Sequence, residues 1–559
     1  MFATVLLLPA CSSTWYAERA DQEAGGILNE KAVAVPDVAE AALADITVPV
    51  RTSLNRFETL PDRPEFLGDR DSSHEQARVL TLADALGLAV RQNREYLQRK
   101  EALYVQALDL TLARQEFTPI FAGGGGVGRQ VITESVEGPV DSLVQTTTVT
   151  TSSRLSASAL HRLGTRIAAD FTTDFLRFVS SPDPSNAASA LTGSIVQPLL
   201  KGAGTRATTE ALTQAERDLL YAIRDFARFR QDLSIDIASQ FYRVLQARDA
   251  ARNAYIQFTG FQISLEREEA LAEEDRRTQS ELGRLRQAAL NSELSWINAV
   301  RSYEEALDDL KLDLSLPVDT PIVLLDEELA DLSLEEPGID LGDALRVALD
   351  TRLDLLNTRE RYEDSVRRIA VASNDLLPGL DLSADIRVVS SPEGDGFPSI
   401  DLHRRDWSVA LDLDLPLDRK FERNNFRAAL IDEQSAARSL EQRIDEVKLE
   451  LINAKRELAQ ARRQHEISEA AVALAERRIE EEELLLELGR GDVRDLVDAR
   501  SDLLNSRNQL TAALVNHTIA RLRFWRDVGI LYIQGDGAWV QQLAPEAEEA
   551  DINDSDNNT

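Results

Sequence analysis

The chain has 559 residues, is 43% hydrophobic and carries a net charge of −34. That is ample apolar content for a large core, while the acidic balance excludes sequence-independent nucleic-acid binding. The single cysteine, Cys11, excludes an intrachain disulfide or a cysteine metal cluster, and His74, His161, His403, His465 and His517 show no ligand spacing. Neither a metal nor a cofactor is expected. No apolar run reaches the roughly 20 residues of a transmembrane helix, so only strands could carry this chain across a bilayer.

Residues 1–11, MFATVLLLPAC, set an apolar run before Leu8-Pro9-Ala10-Cys11, which resembles a bacterial lipoprotein signal. In that reading Cys11 becomes the acylated N-terminus; the plain alternative is a buried thiol. The run is short, has no Lys or Arg ahead of it and contains Pro9, all departures from the usual form. Mass spectrometry of the mature protein is expected to find residues 1–10 absent and acyl mass on Cys11. An intact Met1 with a free Cys11 thiol in the native host overturns this. Residues 12–79 are acidic and proline-bearing with little periodicity, and predict an extended arm.

Two halves follow one plan. Leu82-Ala83-Asp84-Ala85-Leu86 recurs as Leu341-Gly342-Asp343-Ala344-Leu345, and Phe117-Thr118-Pro119 recurs as Leu376-Leu377-Pro378, both at an offset of 259 residues. The first half spans 80–314, a connector with Pro317, Pro321 and Pro337 spans 315–340, and the second half spans 341–530. Residues 531–559 predict an acidic, disordered tail. Each half opens with about 36 residues of helical pattern that stop before a proline, since proline drives its predecessor out of the α region.

Strands come next, over 118–199 and 378–416. Leu380, Leu382, Ala384, Ile386 and Val388 alternate with polar residues, and Trp407, Val409, Leu411 and Leu413 do the same, with Ser391–Gly396 between them. Such period-2 segments of about ten residues are what a membrane β-hairpin needs, although a soluble hairpin reads alike. The longest helical patterns follow, about 205–276 and 420–488, each roughly 70 residues or ~105 Å. In the second, Leu440, Ile444, Val447, Leu451, Ala454 and Leu458 form a coiled-coil seam. A turn near Thr278–Glu281 or Gly489–Asp492 leads into about 35 returning helical residues, ending near Leu314 and Leu522. Two shorter helices end to end match one long one, so each half starts where the last ended.

The second turn carries the densest functional signal. Gly489 and Gly491 break the helix, and Asp492, Asp495 and Asp498 fall three residues apart on one face of the next. Those aspartates either face a passage, as a gate would require, or only favour the positive helix end.

With these residues in place the chain resembles a TolC-family outer-membrane factor, of the lipoprotein type, over residues 80–530. The markers are the doubled LxxAL opening, Pro119 and Pro378, the run Gln197-Pro198-Leu199-Leu200-Lys201-Gly202-Ala203-Gly204, and GRGDVRDLVDARSDLLNSRNQL after the second turn. The resemblance implies a mainly α protein with membrane β: a homotrimeric outer-membrane β-barrel continuous with a periplasmic helical barrel. It further implies a passive exit duct for an efflux pump or type I secretion system, without enzymatic activity. Its partners would be a periplasmic adaptor, an inner-membrane transporter and outer-membrane lipid. Asp495 and Asp498 match the family's aperture carboxylates, and Leu488, Gly489, Gly491 and Thr278 its adaptor-contact tips.

Three departures matter. Pro119 to Pro198 spans 79 residues against 38 from Pro378 to Pro416, and the excess holds alternating Leu155, Ala157, Ala159, Ile167, Ala169, Phe171, Thr173 and Phe175 around Leu163-Gly164-Thr165. An additional hairpin follows; four strands per copy and a 12-stranded barrel, as the family implies, are the default, with six and 18, or a hairpin that never enters the barrel, left open. The first turn has Thr278 where the second has Gly489. The positions matching a Tyr and an Arg that latch some members shut are Leu486 and Gly491. The rival reading is a lipid-anchored periplasmic coiled-coil scaffold without a pore.

Overall fold

The structure, a computed structural model, describes residues 13–35, 38, 43, 57–59, 65–70, 77–136, 142–178, 186–273, 278–390, 400–488 and 490–541. Its elements are α1 (Ser13–Ala32), β1 (Arg78–Leu80), α2 (Leu82–Gln92), α3 (Arg94–Gln115), β2 (Ile120–Val136), β3 (Ser142–Leu160), β4 (Arg166–Phe178), β5 (Asn186–Pro198), α4 (Thr205–Thr208), α5 (Glu210–Glu273), α6 (Gln279–Asp313), β6 (Ile322–Leu324), α7 (Glu327–Ala330), α8 (Leu341–Thr351), α9 (Leu353–Asp375), β7 (Gly379–Ser390), β8 (Ile400–Asp414), α10 (Lys420–Glu487), α11 (Val493–Val528), β9 (Leu531–Ile533) and β10 (Trp539–Gln541). Cys11 lies outside the described residues. The chain divides into two compact units.

The first unit comprises Val105–Tyr221 and Thr358–Leu440 with the described part of Met1–Ala24. Its centre is one six-stranded sheet in the order β2-β3-β4-β5-β7-β8, every neighbouring pair antiparallel. The extra hairpin, β3–β4, is therefore inside the sheet, and four strands become six. Its turn needs Gly164: φ is +89°, and a Cβ there would lie 2.8 Å from the Gly202 carbonyl oxygen and 2.9 Å from Pro198 Cγ. The register separates two faces. One cross-strand row is Phe121, Ala157, Ala169, Gly193, Ile386 and Trp407; the adjacent row, facing the other way, is Ala122, Ser156, Asp170, Thr192, Arg387 and Asp406. Phe121 is 79% exposed and Trp407 73%. On the polar face Arg154 meets Asp170 at 2.6 Å.

The second unit comprises Gly25–Tyr104, Ala222–Asn357 and Glu441–Thr559. The helical pattern expected to run unbroken before each proline is two helices. α2 begins in a capping box in which Thr81 and Asp84 satisfy each other's backbone N–H, and it stops at Asn93, whose backbone is extended (φ −61°, ψ 129°). The Asn93 Oδ1 then accepts from the Tyr96 N–H at 2.8 Å, starting α3. α8 stops likewise at Arg352 (φ −63°, ψ 120°). In α10 the seam is buried at Val447, Leu451, Ala454 and Leu458. α11 outruns the expected end near Leu522 because Phe524, Trp525 and Val528 are still buried, and Gly529 (φ +86°) stops it.

Two terminal expectations change. Residues 12–79, read as an extended arm, begin with the helix α1, where Arg19 and Glu23 pair at 3.0 Å one turn apart. Residues 531–541, read as part of a disordered tail, form a β9–β10 hairpin around Gly537 (φ +87°). Arg230 in α5 holds it by donating to the carbonyls of Ile533 and Gln534, and Gln231 donates to that of Leu531. Residues 542–559 lie outside the described residues. In the connector, β6 pairs in parallel with β1, and Arg248 donates to the Leu324 carbonyl at 2.7 Å.

Candidate functional site

The tip of the second unit is built where α10 turns into α11. α10 ends at Glu487 because the next residues give up the helical ladder: the Arg490 and Gly491 N–H groups both donate to the Leu485 carbonyl at 2.9 Å. That wraps the chain so closely that a Cβ on Gly491 would stand 2.8 Å from the Leu486 nitrogen and 3.0 Å from the Leu485 carbonyl carbon. Asp492 caps the next helix, its Oδ1 accepting from the Arg494 N–H at 2.9 Å. Of the three aspartates spaced along this start, Asp492 is therefore a cap. Asp495 and Asp498 are exposed, and the nearest cation to Asp498 is Arg494, 3.9 Å away one turn below. A pair so exposed and so long leaves the carboxylate largely uncompensated.

Beneath these residues Leu486, Val493 and Leu496 bury against Phe261, Leu285, Ala288 and Ala289 of α5 and α6. Leu486 is thus a packing residue, and Gly491 has no room for a side chain. Leu488 is not part of this cluster and is 62% exposed. Gly489 lies outside the described residues. Thr278 is the N-cap of α6 rather than part of a turn: its hydroxyl accepts from the Glu281 N–H at 3.2 Å, and the Glu281 carboxylate accepts from the Thr278 N–H at 3.0 Å. Thr278 and Leu488 each belong to a helix end, and each is exposed.

Sequence reading missed the ties between the helices. Glu483 meets Arg500 at 2.8 Å, Glu476 meets Arg507 at 2.9 Å and Arg478 meets Asp502 at 2.5 Å, joining α10 to α11. Glu269 and Arg286 join α5 to α6 at 2.8 Å. Arg500 also lies over the Phe261 ring, 5.3 Å from its centroid, and against Gly260, where a Cβ would come within 3.0 Å of it. Their signal was available as opposite charges at matching distances either side of the turn. Among the described residues no group of three or more His, Cys, Asp or Glu could hold a metal ion, and no helix is long and apolar enough to cross a membrane.

Comparison with known proteins agrees with this architecture. Residues 344–525 match the family model described as Outer membrane efflux protein. The fold is similar to the outer membrane protein VceC of Vibrio cholerae, at 14% identity and TM-score 0.58 over 80% of this chain and 96% of that one. It is also similar to the CmeC outer membrane channel of Campylobacter jejuni, at 13% identity and TM-score 0.58 over 89% and 96%. The open-state MtrE outer membrane channel of Neisseria gonorrhoeae matches at 14% identity and TM-score 0.56 over 80% and 88%. No curated protein matches the chain.

Proposed function

We propose that this chain, whose residues 344–525 match the outer membrane efflux protein model, is one of three identical subunits of an outer-membrane exit duct. It would receive cargo from a periplasmic adaptor and an inner-membrane transporter, and release it outside without chemistry of its own. The observation that carries this reading is the six-stranded sheet with one exposed apolar face, Phe121, Val127, Leu155, Trp407, Val409 and Leu411 among it. Water does not tolerate such a face and hydrocarbon does. A pore-free coiled-coil scaffold has no use for it. Cys11 supplies a lipid anchor, Leu488, Gly489, Gly491 and Thr278 meet the adaptor, and Asp495 with Asp498 lines the aperture.

The aperture assignment predicts cation preference. Three copies turn each aspartate into a ring of three carboxylates, and the exposed Arg494 neutralises little of it. Planar-bilayer recordings on the purified full chain are expected to show cation-selective channels blocked by polyvalent cations. Replacing Asp495→Asn and Asp498→Asn together is expected to weaken that block about tenfold, the equivalent of about 1.4 kcal/mol of attraction, with the oligomer intact. Unchanged selectivity and block would place the gate elsewhere. No channel activity at all from an assembled oligomer would remove the duct reading.

A further inference from the structure

We infer that the membrane barrel of this duct has eighteen strands, closed by pairing β8 of each copy with β2 of the next. The inference rests on the exit-duct reading above and adds the strand number, the seam and the width. Within the described residues β2 pairs only with β3, and β8 only with β7. Among the described residues, the outer edge of each therefore has no neighbouring strand to pair its backbone N–H and C=O groups. Water satisfies such a row, whereas hydrocarbon does not, so a sheet in lipid must close. Six strands cannot close on themselves, since membrane barrels begin at about eight. Direction alternates through all six strands, so β8 runs opposite to β2, and a seam between copies is antiparallel like the five pairings within one.

The two edges are also complementary in bulk. β2 holds Gly123, Gly124, Gly125, Gly126 and Gly128, a run that weakens a strand and strips it of side chains. At two of these glycines β3 already fills the space: a Cβ at Gly125 would come within 3.0 Å of the Ser152 carbonyl oxygen, and one at Gly128 within 2.9 Å of Thr150 Oγ1. β8 offers the reverse, with Trp407, Val409, Leu411 and Leu413 all exposed on the apolar face. Bulky side chains, aromatic ones above all, stabilise a neighbouring glycine-rich edge by covering it. A second copy of this chain thus supplies what each edge lacks.

Strand number sets width. With strands 4.7–4.9 Å apart and tilted by about 40°, eighteen give a backbone diameter of about 36 Å against about 24 Å for twelve. The membrane section is then wide, and selection by size falls to the tip.

The strand count is read directly by electron cryo-microscopy of the full-length protein in lipid nanodiscs. Beside it, cysteine pairs report the seam: Phe121→Cys or Val127→Cys in β2, combined with Trp407→Cys, Val409→Cys or Leu411→Cys in β8. Eighteen strands in one barrel, with at least one of these pairs giving an oxidation-dependent link between copies, is the expected result. Leu155→Cys in the interior strand β3 is expected to give no such link with any of the β8 partners. A closed twelve-stranded barrel with β3–β4 outside it overturns the inference and leaves the duct reading standing. A single copy stable in lipid, with no barrel, overturns both.

Discussion

Gly491→Val is expected to abolish export while the copies still associate. Between Glu487 at the end of α10 and Val493 at the start of α11 the chain must reverse within five residues, and the Gly491 and Arg490 N–H groups share the Leu485 carbonyl to do it. The atoms that a Cβ on Gly491 would strike, the Leu486 nitrogen and the Leu485 carbonyl carbon, are backbone, so no side-chain rotation relieves them. Opening the turn withdraws Leu486 and Val493 from their cluster with Phe261 and Leu285, each a burial comparable to a large core truncation of about 2–5 kcal/mol. It also moves Asp492 off its cap, a further loss of about 1 kcal/mol. The tip then opens locally without loss of the sheet, so proteolysis between 488 and 492 should accelerate at least about tenfold. Gly283→Val is the control, because nothing lies within 4 Å of a Cβ at Gly283 in the neighbouring helix. Normal export from Gly491→Val, with the tip as resistant as in the parent, would show that the turn has another way to close.

How far the fold was legible depended on whether its cause was local. Alternation from Leu380 to Val388 and from Trp407 to Leu413 has a period of two, and β7 and β8 stand there. The pattern around Leu163-Gly164-Thr165 likewise announces a hairpin, but which sheet it joins is settled by partners far away in sequence, and period alone cannot say. β2 is opaque for a different reason: its five glycines erase the contrast between faces. The breaks at Asn93 and Arg352 carry no proline or glycine, and Arg352 is held by Asp354 and Glu450, each at 2.7 Å, a tertiary cause. The β9–β10 hairpin did leave a signal, Gly535-Asp536-Gly537 between Leu-Tyr-Ile and Trp-Val, which the acidity of the residues beyond it obscured. At the tip, the capping role of Asp492 follows from its place before Val493. The burial of Leu486 does not, because a leucine near a helix end is apolar whether it packs or makes contact with a partner.

Asp364→Ala is expected to destabilise the strand-bearing unit by about 3–5 kcal/mol, the range for removing one side of a buried ion pair. Asp364 on α9 is 3% exposed as a side chain, and its two oxygens accept from four donors. Arg217 and Arg367 reach Oδ1 at 2.7 and 2.9 Å, and the Tyr221 hydroxyl and Gln214 reach Oδ2 at 2.7 and 3.3 Å. Three of those donors stand on α5, so the carboxylate ties α5 to α9 in the unit that carries the strands. Burial works to raise the Asp364 pKa, but the Tyr221 hydrogen bond, and then the Arg367 and Arg217 charges, outweigh it and hold the carboxyl below its usual range. A folded-state pKa below the unfolded value of about 3.9 contributes stability that is full above that value and is lost as pH falls toward the folded one. Thermal melts of parent and variant should therefore differ by a constant gap between about pH 5 and pH 8, and the gap should shrink below about pH 4. Glu363→Ala, which removes an exposed carboxylate 3.4 Å from the same Arg217, should cost under about 1 kcal/mol. A gap that stays constant through pH 3 would mean that lost packing, not the ionised carboxylate, accounts for the effect.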